Sequence, residues 1–398
     1  MPHNSANDSQ QRSTPATPNR ALYIGLMSGT SLDGVDGALA SFADAGAASD
    51  GSHASAPGVM QTLATSFIAF PAELRRDLLA LQQPGFNEIE REALAANALV
   101  QLYAQCVARL LEKAGLPSTA VRAIGVHGQT IRHVPVLGYT RQTNNPALLA
   151  ELSGIDVVAD LRSRDIAAGG QGAPLVPAFH HWLFGADKDM RVVLNLGGIA
   201  NITLLEDQVR GFDTGPANVL MDGWIARHHD CDYDTDGVWA ANGKADAGLL
   251  EHLRSEAYFR LPAPKSTGRD LFNADWLDAR LKGFEHLAAV DVQATLAAFS
   301  ASTIAEAIHG CAADAVAVYA CGGGAQNKEL MRLLQLSLAT IGSTARVDST
   351  AALGVAPNHV EALAFAWLAQ RFCTRQPGNL PDVTGARGQR LLGALYPA

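Results

Sequence analysis

Apolar and polar positions near the start of the chain predict a strand, a turn and a second strand. Apolar residues dominate positions 23–27 and 35–39, and the polar segment between them contains Gly29 and Gly34. Glycine lets a turn adopt positive φ and lets its backbone approach a ligand closely. Backbone N–H groups and hydroxyls in such a turn can hold phosphate oxygens. The segment is therefore a candidate phosphate-binding hairpin, and an ordinary hairpin with a polar turn is the alternative.

A long helix and a buried strand follow this hairpin. Leucine and other apolar residues recur at helical spacing from residue 88 to residue 113, and Gly115 follows as a stop signal. The next segment, AIGVHGQTIRH, is typical of a buried strand that ends in a polar turn. Gln129 and Thr130 lie just past the C-terminal end of this strand, where ligands bind in α/β sheets. A strand-end turn beside a core histidine is the alternative.

A cluster of charges lies beyond a short apolar strand near residue 157. It consists of Asp160, Arg162, Arg164 and Asp165, and the glycine-rich GGQGAP loop follows it. A solvated loop with ion pairs is one interpretation of such a cluster. Charges beside a flexible glycine loop can also bind a polar ligand, so both interpretations stay open.

The second half of the chain repeats the order of the first. RVVLNLGGIANITLL predicts a second glycine hairpin, and VAVYACGGGAQNKELMRLL predicts a strand, a triple-glycine turn and a helix. These two turns contain, or lie beside, Asn195, Gly197, Gly198, Gly322, Gly323 and Gly324. The triple glycine would let an adenine ring lie flat against the backbone. The duplication indicates two similar domains with a nucleotide in the cleft between them, at residues 21–190 and 191–398, after a polar disordered leader at residues 1–20.

Composition narrows the function classes. The chain has 398 residues, of which 48% are hydrophobic and 17% charged, as is usual for a soluble enzyme. The net charge is −9 and no basic stripe is present, so we expect no nucleic-acid partner. The five cysteines are scattered without a C-x-x-C pair, which indicates a reducing compartment. No apolar run of about 18 residues occurs, so we expect no membrane span.

Two carboxylates are candidates for the chemistry itself. Asp213 lies at a Gly/Pro turn in GFDTGPAN, where it can be held near a substrate; a turn residue or helix N-cap is the alternative. Glu361 lies three residues after Asn358, which is also the spacing of a capping box. Asp33 and Asp36, in the first hairpin, could orient a Mg²⁺ ion or a nucleophile.

Other ligand motifs are incomplete. HHDCDYDTDG lacks zinc spacing and the bidentate glutamate of an EF-hand loop, so we expect a solvated loop and assign no metal-ligating residue. APKSTG is not a Walker P-loop, and CGGGAQN is not the dinucleotide fingerprint G-x-G-x-x-G. The glycine-loop, H-R-D and D-F-G set of protein kinases is also missing.

Seven motifs in this order resemble the anhydro-N-acetylmuramic acid kinase family. They are GLMSGTSLDGVD, VHGQT with a following Arg-His, ADLRSRDIAAGGQGAPLVP, LNLGGIANIT, GFDTGPAN, KSTGRDLFN and CGGGAQN. The resemblance extends from about residue 22 to residue 372. The long polar leader and the Ala/Ser-rich loop after the first hairpin depart from the family pattern without touching a motif.

The resemblance implies a two-domain α/β fold of the actin-like/hexokinase-like (ribonuclease H-like) class, with ATP in the interdomain cleft. It also implies an ATP-binding hairpin made of Gly29, Thr30, Ser31, Leu32, Asp33, Gly34, Val35 and Asp36. Asp213 matches the family's catalytic carboxylate and Glu361 a glutamate near the sugar. Arg162 and the turn with Gln129 and Thr130 resemble parts of the sugar-side wall.

The implied reaction is the ATP-dependent hydrolytic opening of 1,6-anhydro-N-acetylmuramic acid with phosphorylation of O6. It gives N-acetylmuramate 6-phosphate and ADP in peptidoglycan recycling, in the cytoplasm, with Mg²⁺ accompanying the nucleotide. The family also often forms homodimers. A kinase for another open amino sugar and a non-enzymatic sugar-sensing ATPase of the same fold are the alternatives. A repressor of that kind would carry a helix-turn-helix domain, for which the leader is too short.

Overall fold

The computed structural model describes residues 20–29, 31–43, 58–185, 189–206, 208–263 and 265–398. The predicted disordered leader lies outside the described residues except for Arg20. Thr30 of the predicted ATP-binding hairpin also lies outside them. Every structural statement below refers to the described part of the chain.

Thirteen strands occur in the described residues. They are β1 (Leu22–Met27), β2 (Gly34–Ala43), β3 (Val59–Ala69), β4 (Val121–Val126), β5 (Gln129–Val134), β6 (Tyr139–Thr143), β7 (Val157–Ala159), β8 (Arg191–Leu196), β9 (Ile199–Leu205), β10 (Arg210–Pro216), β11 (Ala317–Cys321), β12 (Arg346–Ser349) and β13 (Ala394–Tyr396).

Thirteen α-helices occur in the same residues. They are α1 (Ala72–Ala80), α2 (Glu88–Ala114), α3 (Pro146–Ser153), α4 (Ser163–Ala167), α5 (Val176–Phe184), α6 (Val219–His229), α7 (Val238–Ala241), α8 (Ala247–Arg254), α9 (Ala274–Arg280), α10 (Ala289–Cys311), α11 (Lys328–Thr340), α12 (Val360–Cys373) and α13 (Pro381–Thr384).

Two sheets share one topology. The first sheet has the order β13-β7-β4-β1-β2-β3, and the second has the order β10-β9-β8-β11-β12. In each, the first three strands form an antiparallel meander and the next two add in parallel on the other side of the first strand. The predicted α/β class with two similar halves is confirmed.

The first hairpin joins β1 to β2, as the apolar pattern predicts, but its strained position is unexpected. Leu32 has φ +58°, whereas Gly29 and Gly34 do not have positive φ. Gly34 is needed for another reason, because a Cβ there would lie 2.3 Å from the carbonyl oxygen of Ile68 on β3. The expectation that glycine supplies the positive φ of this turn is therefore wrong.

Helix α12 lies directly on the first sheet because two adjacent strands carry glycine at its crossing point. Gly25 of β1 and Gly125 of β4 are register partners. A Cβ at Gly25 would lie 1.8 Å from the carbonyl oxygen of Ala362, and one at Gly125 would lie 2.0 Å from that of Phe365. The helix backbone thus replaces side chains as the packing partner of the sheet, and this fixes the first turn of α12, where Glu361 lies.

The end of the chain returns to the first sheet. Besides α12, the short strand β13 pairs antiparallel with β7 of that sheet. The division into domains at residues 21–190 and 191–398 therefore remains a proposal, to which we add that the segment from residue 360 onward packs with the first sheet.

Helix α2 covers the opposite face of the first sheet. It buries Leu99, Tyr103 and Leu110 in a cluster with side chains of β1 and β2. By length and composition alone, α2 is the one described helix that could cross a membrane, although half of its most apolar window is buried inside the protein. Core helices of soluble proteins satisfy the same criterion, so this is weak evidence for a membrane span.

The Gly125→Ala variant tests the contact between α12 and the sheet. We expect its free energy of unfolding to fall by about 3 kcal/mol, since a methyl group overpacks the contact with the Phe365 carbonyl. Gly310→Ala in α10 is the control, because a Cβ there meets nothing within 4 Å and should raise stability by about 0.5 kcal/mol. Urea denaturation of both variants measures the difference, and equal unfolding midpoints would contradict it.

Candidate active site

The turn between β1 and β2 is fastened to the turn after β4. The Ser28 hydroxyl donates to the carbonyl oxygen of Gly128 at 3.3 Å and lies 2.7 Å from the Tyr103 hydroxyl. The Gln129 amide donates to the carbonyl oxygen of Gly29 at 3.0 Å. These hydrogen bonds hold the two turns together at the C-terminal end of the first sheet.

The hydrogen bonds between the turns involve Gln129, and its neighbour Thr130 also has a partner, so both predicted sugar-side residues make contacts within the protein. Gln129 is fully buried and its amide nitrogen is committed to Gly29. Thr130 accepts a hydrogen bond from Gln142 at 3.1 Å. Both side chains thus have intramolecular partners, and a contact of either with a sugar stays a prediction.

The predicted ATP-binding hairpin divides into core and site-facing residues. Leu32 and Val35 are buried core side chains, so they can meet a nucleotide through their backbone alone. Asp33 is exposed and accepts a hydrogen bond from the Ser31 hydroxyl at 2.7 Å. Asp36 is half-buried, and its burial, followed by the charges of Asp33 and Glu361, raises its pKa to about 7.

The negative charge of Asp33 affects carboxyl groups that lie near both sheets. It raises the pKa of Glu361 on α12 and also that of Asp222 on α6, although burial is the larger cause at each. The pKa of Asp222 rises to about 7 in spite of the neighbouring Arg269. Sequence analysis missed Asp222. The available signal was its place one helical turn beyond GFDTGPAN.

Asp213 lies in β10 beside a β-bulge. The register between β10 and β9 shifts between Asp213 and Gly215, and Gly215 has φ +143°. A bulge redirects the side chains around it. Helix α6 has Asn218 as its N-cap, so the alternative role of Asp213 as a helix N-cap is wrong.

Two donors hold one oxygen of the Asp213 carboxylate. The Ser266 hydroxyl donates to Oδ2 at 2.7 Å, and the Thr267 backbone N–H donates to the same atom at 3.1 Å. Burial raises the pKa of Asp213, and these two hydrogen bonds oppose the rise. Sequence analysis missed Ser266 and Thr267, although it noted KSTG among the family motifs.

Glu361 is not a capping residue. The N-cap of α12 is His359, which makes no side-chain capping bond, so the capping-box alternative with Asn358 is wrong. Glu361 is half-buried in the first turn of the helix. Burial raises its pKa, the charge of Arg162 lowers it and that of Asp33 raises it further.

Arg162 is held between a histidine and a glycine loop. Its Nε donates to Nε2 of His127 at 2.9 Å, and its Nη1 donates to the carbonyl oxygen of Gly172 at 2.7 Å. Burial lowers its pKa to about 10, so the guanidinium stays charged at neutral pH. Burial and Arg162 lower the pKa of His127, whose ring is therefore neutral and accepts through Nε2.

The interpretation of the charge cluster as a solvated ion-pair loop is wrong for Asp165. Asp165 is fully buried and accepts hydrogen bonds from Gly172, Asn379 and Thr384 at 2.7–2.8 Å. Asp160 and Arg164 are exposed. Asp165 thus ties the glycine loop to the C-terminal segment, and Arg162 alone of the four approaches Glu361.

The second hairpin is tied to the start of α6. The backbone N–H of Asn218 donates to the carbonyl oxygen of Gly197 at 3.1 Å, and that of Val219 donates to Gly198 at 3.1 Å. Asn195, at the end of β8, pairs with Asn201 across the hairpin. The turn is therefore a rigid part of the second sheet.

The triple-glycine turn has one open position. A Cβ at Gly322, where φ is +80°, would lie 2.5 Å from Oδ1 of Asn195, and one at Gly324 would lie 2.8 Å from Cβ of Leu196. A Cβ at Gly323 would meet nothing within 4 Å. Gly322 and Gly324 thus allow close packing on the second hairpin, whereas Gly323 leaves open space beside the backbone.

The site residues form two groups. Asp33, Asp36, Arg162 and Glu361 interact electrostatically around the first sheet, and Asp213 belongs to the second sheet. No hydrogen bond joins Asp213 to Glu361 among the described residues, and neither charge shifts the pKa of the other. A substrate that uses both carboxylates must therefore bridge the two halves.

The described residues contain no group of three His, Cys, Asp or Glu side chains that could hold a metal ion. A Mg²⁺ ion normally keeps several waters and binds through one or two carboxylates together with substrate phosphates. Carboxylates such as Asp33 therefore fit a Mg²⁺ ion that arrives with a nucleotide.

Known proteins match the chain over nearly its whole length. A family model described as anhydro-N-acetylmuramic acid kinase matches residues 21–398. The anhydro-N-acetylmuramic acid kinase of Burkholderia orbicola strain MC0-3 is 58% identical over 391 residues, which cover 98% of this chain and 99% of the relative. That of Burkholderia pseudomallei strain K96243 is 58% identical over 393 residues, with 96% and 98% covered.

A solved structure also matches at the level of the backbone. It is the activator of 2-hydroxyisocaproyl-CoA dehydratase from Clostridium difficile with bound ADPNP, with 12% identity and a TM-score of 0.45. The match covers 89% of this chain and 96% of that chain. A similarity of this size adds nothing to the functional argument.

The raised pKa of Asp36 predicts a pH-dependent effect of Asp36→Asn. Folded Asp36 keeps a proton up to about pH 7, whereas the unfolded chain loses it near pH 4, so wild-type stability falls as pH rises through this window. The variant carries no charge at this position. We therefore expect its free energy of unfolding to exceed that of the wild type at pH 8 but not at pH 4.

Urea denaturation at both pH values measures this difference. The exposed carboxylate Asp314, replaced by Asn, is the matched control and should change little between the two pH values. An equal effect of Asp36→Asn at pH 4 and pH 8 would show that the folded carboxyl titrates normally.

Proposed function

The chain belongs to the anhydro-N-acetylmuramic acid kinase family, and from this premise we propose that Asp213 is the base of its reaction and that the glycine hairpins hold ATP. The enzyme is a phosphotransferase with an alcohol group as acceptor and uses ATP. It converts 1,6-anhydro-N-acetylmuramic acid to N-acetylmuramate 6-phosphate in peptidoglycan recycling.

The geometry of Asp213 is the observation that carries the assignment of the base. One carboxylate oxygen accepts hydrogen bonds from both Ser266 and Thr267. The other oxygen is therefore available for a water molecule. Burial raises its pKa, which strengthens it as a base. Thus the carboxylate is both oriented and basic.

The reaction balances with one base. Asp213 takes a proton from water, and the water oxygen forms a bond to the anomeric carbon. The bond from that carbon to the bridging oxygen breaks, and this oxygen becomes O6. O6 then attacks the γ-phosphorus of ATP, ADP leaves, and the proton remains on Asp213 until it is released to solvent. Transfer of the phosphoryl group to O6 thus traps the alkoxide that most glycosidases protonate with a second carboxyl group.

The remaining site residues position the two substrates. We assign the backbones around Gly29, Gly197 and Gly323 to the phosphates and the base of ATP. Glu361 and the charged Arg162 form a polar wall beside the first hairpin, where they bind the sugar. Phosphoryl transfer depends mainly on such positioning and on neutralisation of charge.

Mg²⁺ accompanies ATP in this proposal. When bound, it neutralises charge on the transferring phosphates. Asp33 is the exposed carboxylate of the first hairpin, and its charge raises the pKa of Asp222 on α6, so these two residues are suited to hold waters around the ion.

The cellular setting is part of the proposal. We infer a cytoplasmic enzyme that acts on small molecules without a nucleic-acid or membrane partner, and homodimers are consistent with the family. A net charge of −9 supports the lack of a nucleic-acid partner.

Asp213→Asn should lose at least about a hundredfold in kcat, because the general base is removed. ATP should still bind, since the carboxylate does not contact the glycine turns. Steady-state assays with the anhydro-sugar and calorimetric titration with a non-hydrolysable ATP analogue measure the two effects. Asp314→Asn is the control, and near-normal turnover by Asp213→Asn would make Asp213 a structural residue.

Asp33→Asn should raise the free Mg²⁺ concentration needed for half-maximal turnover about tenfold, as expected for one lost carboxylate contact of roughly 1.4 kcal/mol. Chelation of Mg²⁺ should stop turnover of the wild type. A Mg²⁺ titration at saturating ATP tests both expectations, with Asp314→Asn as the control. An unchanged titration curve would remove Asp33 from the metal environment.

A further inference from the structure

A distant segment clamps the backbone of Asp213 from two sides. The Tyr258 hydroxyl donates to the carbonyl oxygen of Asp213 at 2.5 Å. On the other side, the Asp213 backbone N–H donates to the carbonyl oxygen of Lys265 at 3.1 Å. The position of Asp213 therefore depends on residues about fifty positions later in the chain.

The clamp is itself braced by Lys265. Its ammonium group donates to the carbonyl oxygens of Tyr258 and Phe259 at 3.2 and 3.3 Å. It also lies 4.6 Å from the centre of the Tyr258 ring, a cation–π distance. These contacts join Lys265 to Tyr258 and Phe259. They thereby position Ser266 and Thr267, which directly follow Lys265 in the chain.

Ser266 and Thr267 distinguish the two oxygens of the carboxylate. Both donate to Oδ2, at 2.7 and 3.1 Å, and no described residue donates a hydrogen bond to Oδ1. Hydrogen bonds to a carboxylate are among the stronger ones, and a two-point attachment restricts rotation about the Cβ–Cγ bond of Asp213. Without Ser266, a single backbone donor would remain.

We propose that Ser266 is a positioning residue for the reaction, because its hydroxyl holds Oδ2 of Asp213 so that Oδ1 alone accepts the proton from water. This inference rests on the proposed role of Asp213 as the base. Ser266 acts through Asp213 and has no part in the bonds that form or break. Its hydroxyl proton stays on Ser266 while the water proton moves to Oδ1.

The inference predicts a change in the pH profile. The Ser266 hydrogen bond favours the ionised carboxylate and lowers the pKa of Asp213 against the effect of burial. Loss of the hydroxyl should therefore raise that pKa, and activity requires the ionised form. The acid limb of kcat/KM, which reports the free enzyme, should move to higher pH.

Ser266→Ala should shift the acid limb upward by about one pH unit, the size expected for one hydrogen bond to a charged group. Its kcat/KM should then fall about tenfold relative to the wild type at pH values on the acid limb, with little loss on the plateau at higher pH. Ser266→Thr keeps a hydroxyl and should restore the wild-type limb. Ser266 is exposed, so both variants should still fold cooperatively, which thermal melting checks.

Ser255→Ala is the matched control. Its hydroxyl donates to the carbonyl oxygen of His252 at 2.7 Å in the same region but does not touch Asp213. We expect a wild-type acid limb for this variant. An unmoved limb in Ser266→Ala, a loss equal at all pH values, or a rise in KM for ATP as the sole effect would overturn the inference.

Asp213→Asn distinguishes a failure of the base assignment from a failure of the positioning role of Ser266. If Asp213→Asn is nearly inactive while Ser266→Ala keeps the wild-type pH profile, the base assignment stands and the positioning role fails. If Asp213→Asn retains its activity, the proposed function of Asp213 fails and the positioning role fails with it. A shifted limb together with an inactive Asp213→Asn supports both.

Discussion

Backbone contact between α12 and two neighbouring strands is the constraint on which the first half of the site depends. Gly25 and Gly125 lie side by side, and together they leave room for the carbonyl groups of the helix. Protein interiors are close-packed, so a side chain at either position would displace the helix rather than be absorbed. Since Glu361 lies in the first turn of α12, the two glycines also determine where that carboxylate stands relative to Arg162 and the first hairpin.

The second half of the site is built by different means. Asp213 is aimed by a β-bulge and held by hydrogen bonds from a segment that packs against β10. Among the described residues no hydrogen bond joins it to Glu361, so the surroundings of each carboxylate are built separately. A bicyclic sugar with a reactive bridge offers groups to both, and ATP held by turns from both sheets would bring the phosphate to the same place. In the proposed reaction, each half of the duplicated topology therefore contributes one carboxylate, Asp213 as the base and Glu361 as a sugar contact.

Electrostatics in the site favour the arrival of cations with the substrate. The pKa values of Asp36 and Asp222 are raised to about 7. Burial is the larger cause at both residues, and the negative charge of Asp33 also raises both pKa values. A nucleotide would add further negative charge to this region. Cations that accompany the phosphates would offset this negative charge, and Arg162 already offsets part of the charge beside Glu361. The burial of these carboxyl groups and their closeness to other negative charges also explain why the free energy of unfolding is expected to depend on pH without a ligand.

Local sequence by itself determined the α/β pattern, the two glycine hairpins and the repeated order of elements, because apolar periodicity and turn chemistry act over a few residues. The ordered motifs also predicted roles for Asp213 and Glu361. Tertiary structure alone decided that Leu32 supplies the positive φ, that Gln129 is committed to Gly29 and that Asp165 is buried. It also decided that Ser266 holds Asp213 from 53 positions away. Spacing along the chain cannot encode such contacts, since they arise when distant segments pack together and buried polar groups must find partners.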